Sequence, residues 1–550
     1  MSRSGSTPSP APAPPPAAVP PPAPAPGRAS PPGPPPDAPS GNAPPGANPP
    51  GSTPPGVASA VRSRAGSMSV TRPGSLLATF ARGHWLETVP GRIRLQAAVA
   101  LAAVAALLTV LTLAIGNARD GVQTIGHDAG PQVVATGNLF FALSDMDAQV
   151  SDVLLIGRDH DLGIGHDESL RLYDERRREA GQALVQAAQL AGQDAERQRT
   201  VREVMAALGR YERLVGEALV LDRMAAHPAG EPPGPVVDAH RQATDLMRME
   251  LLPLAYNLTL DSGATVRQEY EDKRRAVQSG QVQVALAGAV LLAVLVAVQV
   301  SLARGFRRTI NPALALATVL TLVVAGAGIA QLSAQSGHLR TAKEDGFDSM
   351  LTLSRARAIS HSAFADESRY LLDPRRADTY EQTYFDKALS VLYIDPGDRP
   401  LNLETYYALL DRKVRSYVPG RDRVDFLGFY ADQARKARTP AENRTLARTL
   451  AAYGAVIDND RRMRELAARG DRAGAIELRM GRGNGGAISA FEDYDRALVQ
   501  QAAVHRGVFD GAIAAADGGL RGWTVLPPAA ALVIAGLVLA GLRPRLAEFR

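Results

Sequence analysis

Apolar residues are concentrated in four runs, 95–115, 281–302, 312–332 and 522–542, and none of these runs contains Asp, Glu, Lys or Arg. Each is about 20 residues long, enough to cross ~30 Å of hydrocarbon at 1.5 Å per helical residue. A buried helix of that length in a soluble protein usually tolerates a charge, so the pattern predicts four transmembrane helices. Between them the pattern changes. Within 116–280, Val201, Val204, Leu208, Tyr211, Val215 and Ala218 recur at alternating spacings of three and four, the narrow seam of a helical bundle. Within 333–521, Ile488, Phe491, Tyr494, Leu498, Ala502, His505 and Phe509 form a similar stripe leading into the fourth run. Strand alternation is scarce. Gly- and Pro-rich punctuation at 157–165, 228–235, 374, 395–400, 419–420 and 481–486 predicts the breaks between helices.

The expected fold is an all-α membrane protein with four transmembrane helices and two extracytoplasmic up-and-down helical bundles. Its order is a Pro-rich tail (1–60), a basic juxtamembrane segment (61–94), the first span (95–115), bundle one (116–280) and the second span (281–302). A short basic loop (303–311), the third span (312–332), bundle two (333–521), the fourth span (522–542) and a C-terminal stub (543–550) follow. The two halves echo each other. Leu371-Leu372 and Arg375 stand 217 residues after Leu154-Leu155 and Arg158, with Ala365 matching Ala148 at the same offset. This suggests one hairpin design used twice, with an extra helical pair near 403–437 in the longer second segment.

Charge sets the expected orientation. Arg92 and Arg94 precede the first span, Arg304, Arg307 and Arg308 fill the short loop, and Arg543 and Arg545 follow the fourth span. With the rest of that side they give 14 basic and 3 acidic residues, against 18 basic and 26 acidic in 117–279. By the positive-inside rule both termini are cytoplasmic and the two large segments lie outside the cell membrane. The first 55 residues hold 23 of the 40 prolines with only Arg3, Arg28 and Asp37 charged, a composition expected to stay disordered with polyproline II character. Met68 is a second candidate start, which would remove that tail. Ser63, Ser67, Thr71 and Ser75 among arginines would be accessible to a kinase. The absence of Cys excludes a disulfide scaffold, Cys-ligated metals and a thiol nucleophile.

Candidate chemistry is sparse. The 158–168 loop gathers carboxylates around His160 and His166. It lacks EF-hand spacing, and the favoured reading is a solvated turn in which Asp167 opens the next helix. Arg355, Arg357, Arg369, Arg375 and Arg376 form a candidate surface for a carboxylate ligand or partner, by bidentate pairing. The plainer alternative is a charged outer face neutralised by Asp366, Glu367 and Asp378. His361 and His505 fall on or near apolar stripes and read as packed histidines. Pro253, before the second span, and Pro527 and Pro528, within the fourth, are candidate hinges. No triad, paired-carboxylate site or phosphate loop emerges, so no enzymatic activity, metal or cofactor is expected, and nothing points to nucleic acid. The spans carry no midplane charge, which argues against a coupled carrier. Gly288, Gly326 and Gly328 suit close helix packing instead.

The stretches Asp-Met-Asp-Ala-Gln-Val (145–150) and Ala-Phe-Ala-Asp-Glu (363–367), the basic loop entering Asn311-Pro312 and the ending Arg-Pro-Arg-Leu-Ala-Glu-Phe-Arg (543–550) resemble a group of actinobacterial four-span membrane proteins. Genes for such proteins often adjoin those for a glutamine/glutamate-binding lipoprotein and a soluble Ser/Thr kinase. The resemblance covers about 90–550 and transfers no functional residue. It implies a relay in which the lipoprotein docks outside and the kinase is informed inside. The expected function is therefore a non-enzymatic multi-pass sensor in the bilayer, with a homodimer as a possible form. The alternatives are a structural envelope scaffold or a transporter accessory subunit.

Overall fold

The computed structural model describes residues 89–547 apart from 160, 193, 307–310 and 421–422. The Pro-rich tail and most of the basic juxtamembrane segment therefore lie outside the described residues, as do Arg307, Arg308 and the side chain of Arg545. Among the described residues the secondary structure is helical except for one antiparallel pairing, β1 (Tyr393–Ile394) with β2 (Phe426–Leu427), in which Tyr393 faces Leu427 and Ile394 faces Phe426.

Three rods dominate. The first joins α1 (Val89–Gln123), a π-helical stretch (Thr124–Ala129) and α2 (Gly130–Ile156). After α3 (His166–Ala191) and α4 (Ala195–Ala225), the second rod returns as α5 (Gly234–Leu246), a π stretch (Met247–Leu251) and α6 (Leu252–Phe306). The third begins the second half as α7 (Pro312–Arg340), a π stretch (Thr341–Phe347) and α8 (Asp348–Leu372). Then come α9 (Ala377–Val391), α10 (Leu403–Ser416), α11 (Phe429–Lys436), α12 (Pro440–Ala468), α13 (Arg472–Met480), α14 (Ala487–Leu520) and α15 (Leu526–Ala547). The pair α10 and α11 occupies the region where an extra pair was expected.

Local chemistry explains the ends. Asn311 accepts the Ala313 amide, with Pro312 in the first turn of α7. Asp194 accepts the Glu196 and Arg197 amides, and Thr439 with Glu442 forms a capping box. Gly157 ends α2 with φ 56°, and a Cβ there would sit 2.5 Å from the His227 carbonyl oxygen. Only glycine allows that approach.

Among the described residues four helices are long and apolar enough to cross a membrane: Gly91–His127, Gly234–Arg304, Pro312–Leu372 and Leu526–Pro544. This is a multi-pass membrane protein. The spans of α1, α6, α7 and α15 share a core that includes Leu107, Leu111, Val284, Leu291, Leu314, Leu332, Ile534 and Val538. Leu113, Leu286, Leu322 and Leu532 point outward, as lipid-facing side chains should. Gly288 approaches Ala325 and Gly328 approaches Leu111, so a Cβ on either would come within 3 Å of its neighbour, whereas Gly326 faces open space. Polar ties link the spans near their ends: Gln96 Nε2 donates to Ser301 Oγ at 2.8 Å, Gln299 Nε2 to Thr318 Oγ1 at 2.8 Å, and Gln331 Nε2 to the Gly519 carbonyl at 2.8 Å.

Two expectations change. Pro527 and Pro528 do not interrupt a span: α14 ends at Leu520, a turn with Gly522 at φ 83° follows, and α15 starts at Leu526. The prolines occupy the first turn, where a missing N–H costs no helical hydrogen bond. Pro253 does lie inside a rod, two residues beyond the π stretch 247–251, which accommodates a carbonyl one turn back that proline cannot bond.

The second change is larger. The two inter-span segments do not form separate bundles; they share one hydrophobic core containing Leu143, Leu154, Tyr211 and Val215 together with Phe364, Leu371, Tyr453 and Phe491. The reason is in α2 and α8. Nearly every side chain of 139–156 and 358–372 is buried, so neither helix retains a solvent face. Each needs the other half to cover it.

Candidate functional site

The site with the densest unusual chemistry is this seam between α2 and α8. The helices run parallel and in register. Asp145 contacts His361 and Asp152 contacts Ser368, both at a separation of 216 residues. Nearer the membrane, a Cβ on Gly137 would lie 2.9 Å from Ser354 Oγ. The π stretches start at Thr124 and Thr341, 217 residues apart, which is the offset of the sequence repeat. The repeat legible in the sequence is thus a structural pairing: equivalent helices of the two halves lie side by side at equal height.

Six acids, Asp145, Asp147, Asp152, Asp366, Glu367 and Asp495, meet six bases, Arg176, Arg357, His361, Arg369, Lys387 and Arg479, along this seam. At its membrane-proximal end the His361 ring bridges the halves. Nδ1 is 2.9 Å from Asp145 Oδ1 and Nε2 is 3.0 Å from Asp495 Oδ1. Phe141 and Phe491 meet the ring edge-on at 4.8 and 4.7 Å. Arg176 Nε donates to Asp145 at 2.6 Å, and Arg357 donates two bonds to Asp495 at 2.5 and 2.7 Å while its guanidinium lies 3.8 Å from the Phe141 ring centre. In the middle, Arg369 is fully buried and donates to both Asp147 and Asp366. Tyr211 OH donates to Asp147 at 2.8 Å, and Lys387 Nζ donates to Asp366 at 2.5 Å. At the far end Arg479 lies against the Phe364 ring and donates to Asp152 at 3.2 Å and to the Phe364 carbonyl at 3.0 Å. Ser368 Oγ donates to Asp152 at 2.5 Å.

Burial disfavours the charged His361 ring, but Asp145 and Asp495 on either side more than reverse this and raise its pKa. Burial alone would raise the Asp145 and Asp495 pKa values, yet His361 with Arg176 on one and Arg357 on the other holds both carboxyls below the usual range. Glu367 behaves oppositely. Burial and nearby Asp460 push it well above the carboxylate range despite Arg479. Glu367 Oε2 is 3.2 Å from Arg479 Nε, but neither oxygen makes a hydrogen bond among the described residues. Burial pushes Lys387 down to about 8 although Asp366 opposes it, and burial pushes His240 down to about 4.

A pH dependence follows. Because the folded His361 pKa exceeds its ordinary 6.5, its contribution to stability is complete below that value and is lost as pH rises through the folded pKa. His227, where burial is outweighed by hydrogen bonds to Asp222 and the Pro228 carbonyl so that its pKa rises, has the same sign. Lys387 acts oppositely, adding stability with pH between about 8 and 10.5. Between pH 6.5 and 8 the unfolding temperature of the whole chain should therefore fall, and His361→Gln should flatten most of that slope. A thermal melt series followed by circular dichroism measures it. An equal slope in the variant would remove His361 from the account.

The five candidate arginines do not converge. Arg357 and Arg369 belong to the seam, so Arg369 with Asp366 and Glu367 is interior and forms no outer face. Arg376 pairs with Asp245 of α5 at 2.9 Å, Arg355 lies half-buried over Tyr256, and Arg375 is exposed. His361 is packed, as expected, but as an ionic bridge. His505 does not bridge the halves; its Nδ1 faces the Asp345 carbonyl at 3.0 Å with Glu442 Oε1 at 3.9 Å, and burial lowers its pKa although Glu442 opposes it. In the 158–168 loop Asp159 accepts the Ala229 amide at 2.9 Å, and among the described residues no three His, Asp or Glu side chains gather as a metal site. Arg92, Arg94, Arg304 and Arg543 are exposed at one end of the span bundle.

Sequence reasoning gave no role to Asp145, Asp147, Asp152, Lys387, Arg479 or Asp495. The available signal was the placing of Asp147 on the side of the helix opposite Asp145 and Asp152, which leaves no uniformly apolar face to bury. Residues 121–271 match the family model of an actinobacterial sensor domain. No curated protein and no solved structure matches the chain. The first inter-span segment, which supplies Asp145, Asp147 and Asp152 to the seam, is thus the part of this multi-pass membrane protein that is similar to a sensor domain.

Proposed function

We propose that the chain is a non-enzymatic sensor and relay of the cell membrane. Its helical domain faces outward and its termini face the cytoplasm, as the arginine distribution supports. The observation that carries this reading is continuity. The helix Pro312–Leu372 runs without a break from the ionic seam into its span, and Gly234–Arg304 runs from the shared hydrophobic core into its own. A change at the seam therefore has rigid elements along which tilt, rotation or a small piston movement reaches the inner surface. The input is a glutamate- or glutamine-type amino acid presented by a binding lipoprotein. The output is a cytoplasmic partner, a Ser/Thr kinase, drawn to the basic inner face.

The test is thermal unfolding of the full chain in nanodiscs against free amino acids and against the cognate lipoprotein, empty and loaded. Occupancy at 100 times the dissociation constant stabilises by about 2.7 kcal/mol, several degrees for domains of this size. The relay predicts a shift with the loaded lipoprotein and none with free amino acid. An unshifted midpoint in both cases would move the reading to an envelope scaffold.

A further inference from the structure

A cavity of about 300 Å³ opens where α8 and α14 diverge, next to Asn138 of α2. Its wall is apolar, with Phe347, Met350, Leu351 and Leu498 contributing, and its polar edge carries Arg357 and Arg506. No Asp or Glu lines it. The Arg357 charge is taken up by Asp495 and the Phe141 ring. Arg506 is exposed and makes no hydrogen bond or ion pair among the described residues. The cavity thus presents one unneutralised cation beside an apolar pocket, at the small end of the ~300–1,000 Å³ range typical of ligand sites.

Its height excludes lipid as the source. Phe347 stands fifteen residues beyond Leu332, the end of the third apolar run, and so about 22 Å further along the rod at 1.5 Å per residue. The headgroup zone adds only roughly 5–8 Å per leaflet. The ligand therefore comes from water.

We infer that this cavity binds a compact apolar monocarboxylate, its carboxylate on Arg506 and its hydrocarbon body against Phe347, Met350, Leu351 and Leu498. A free amino acid fits poorly, because its ammonium, one carbon from the carboxylate, would stand beside the Arg506 cation with no Asp or Glu in the lining to offset the repulsion. The site joins α8, a helix of the seam, to α14, which leads to the fourth span. A bound molecule would fix the spacing of those two helices. This inference is independent of the lipoprotein relay and adds a second, direct input.

Calorimetric titration of the full chain in nanodiscs with 4-methylpentanoate and 3-phenylpropionate tests it, with their primary amides and L-leucine as controls. The expected result is saturable binding of at least one acid, weakened roughly tenfold or more in its amide and in Arg506→Gln, as loss of a charge-assisted hydrogen bond implies. L-leucine should not compete. Val499→Trp, which fills the cavity from its exposed rim, should abolish binding while leaving the thermal midpoint near that of the parent. Arg506→Gln should likewise keep the parent midpoint, since the side chain has no partner to lose. No saturable binding of either acid, or binding equal for acid and amide or unchanged in Arg506→Gln, would overturn the proposal.

Discussion

Arg369→Leu should destabilise the protein by about 3–5 kcal/mol, the cost of leaving a buried ion pair with one side uncompensated. Arg369 is among the largest fully buried side chains, and its two carboxylate partners, Asp147 and Asp366, are also buried. Leucine fills much of the volume but provides no donor. Asp147 then keeps only the Tyr211 hydroxyl, and Asp366 keeps Lys387. A loss of this size is a large part of the ~5–15 kcal/mol that holds a typical domain folded. Equilibrium unfolding in detergent or nanodiscs measures it, with Arg375→Leu as the control. Arg375 is exposed, so its replacement should change stability by no more than about 0.5 kcal/mol. Adding Asp147→Leu to Arg369→Leu should recover part of the loss, because it removes the stranded charge. Equal stability of Arg369→Leu and Arg375→Leu would show that the seam holds nothing together.

Separating the halves should have a still larger effect. Residues 117–279 produced alone should fail to unfold cooperatively, although they contain the whole stretch similar to a sensor domain. The shared core explains why: α2 would expose the face that meets Phe364, Leu371 and Phe491, and Asp145, Asp147 and Asp152 would lose their partners on the other half. Residues 334–521 alone should behave likewise, with Arg369 losing Asp147 and Arg479 losing Asp152. Mixing the two during refolding should restore one cooperative transition. The cross-half ties outside the seam favour reassembly: Arg241 donates to Asp373 at 2.6 and 2.7 Å, and Arg248 donates to Thr383 at 2.7 Å. Two independent, cooperative transitions from the separate segments would contradict the single core.

The contrast between what the sequence disclosed and what it hid has a physical basis. Spans were legible because hydrocarbon tolerates no charge over about 20 residues, and both heptad-like stripes are buried as spaced, from Val201 to Ala218 and from Ile488 to Phe509, with Ala502 alone only partly covered. The six predicted breaks fall between helices, and further breaks at 192–194, 437–439, 469–471 and 521–525 were not anticipated. The repeat offset of 217 was visible in a few residues, yet it implied nothing about whether the copies stand apart. That depends on which helix faces remain uncovered, and charged side chains misled there. Asp145, Asp147, Asp152, Asp366, Glu367 and Arg369 look like solvent-facing residues until their partners are known, because in sequence a paired buried charge and an exposed one are identical. The prolines misled for a related reason. Proline at 527 and 528 marks either a kink or a helix start, and only the turn before Leu526 distinguishes them.

The central claim is that events in the helical domain reach the inner ends of the spans. The chain contains no cysteine, so Arg304→Cys and Arg543→Cys place two unique labels at the exposed ends of α6 and α15. Double electron–electron resonance in nanodiscs then reports their separation with the cognate lipoprotein empty or loaded. The account predicts that the loaded lipoprotein alone shifts the distance distribution, by about 1–2 Å for a helix displacement or by ~5 Å for a full-turn ratchet. An unchanged distribution under saturating loaded lipoprotein would contradict it.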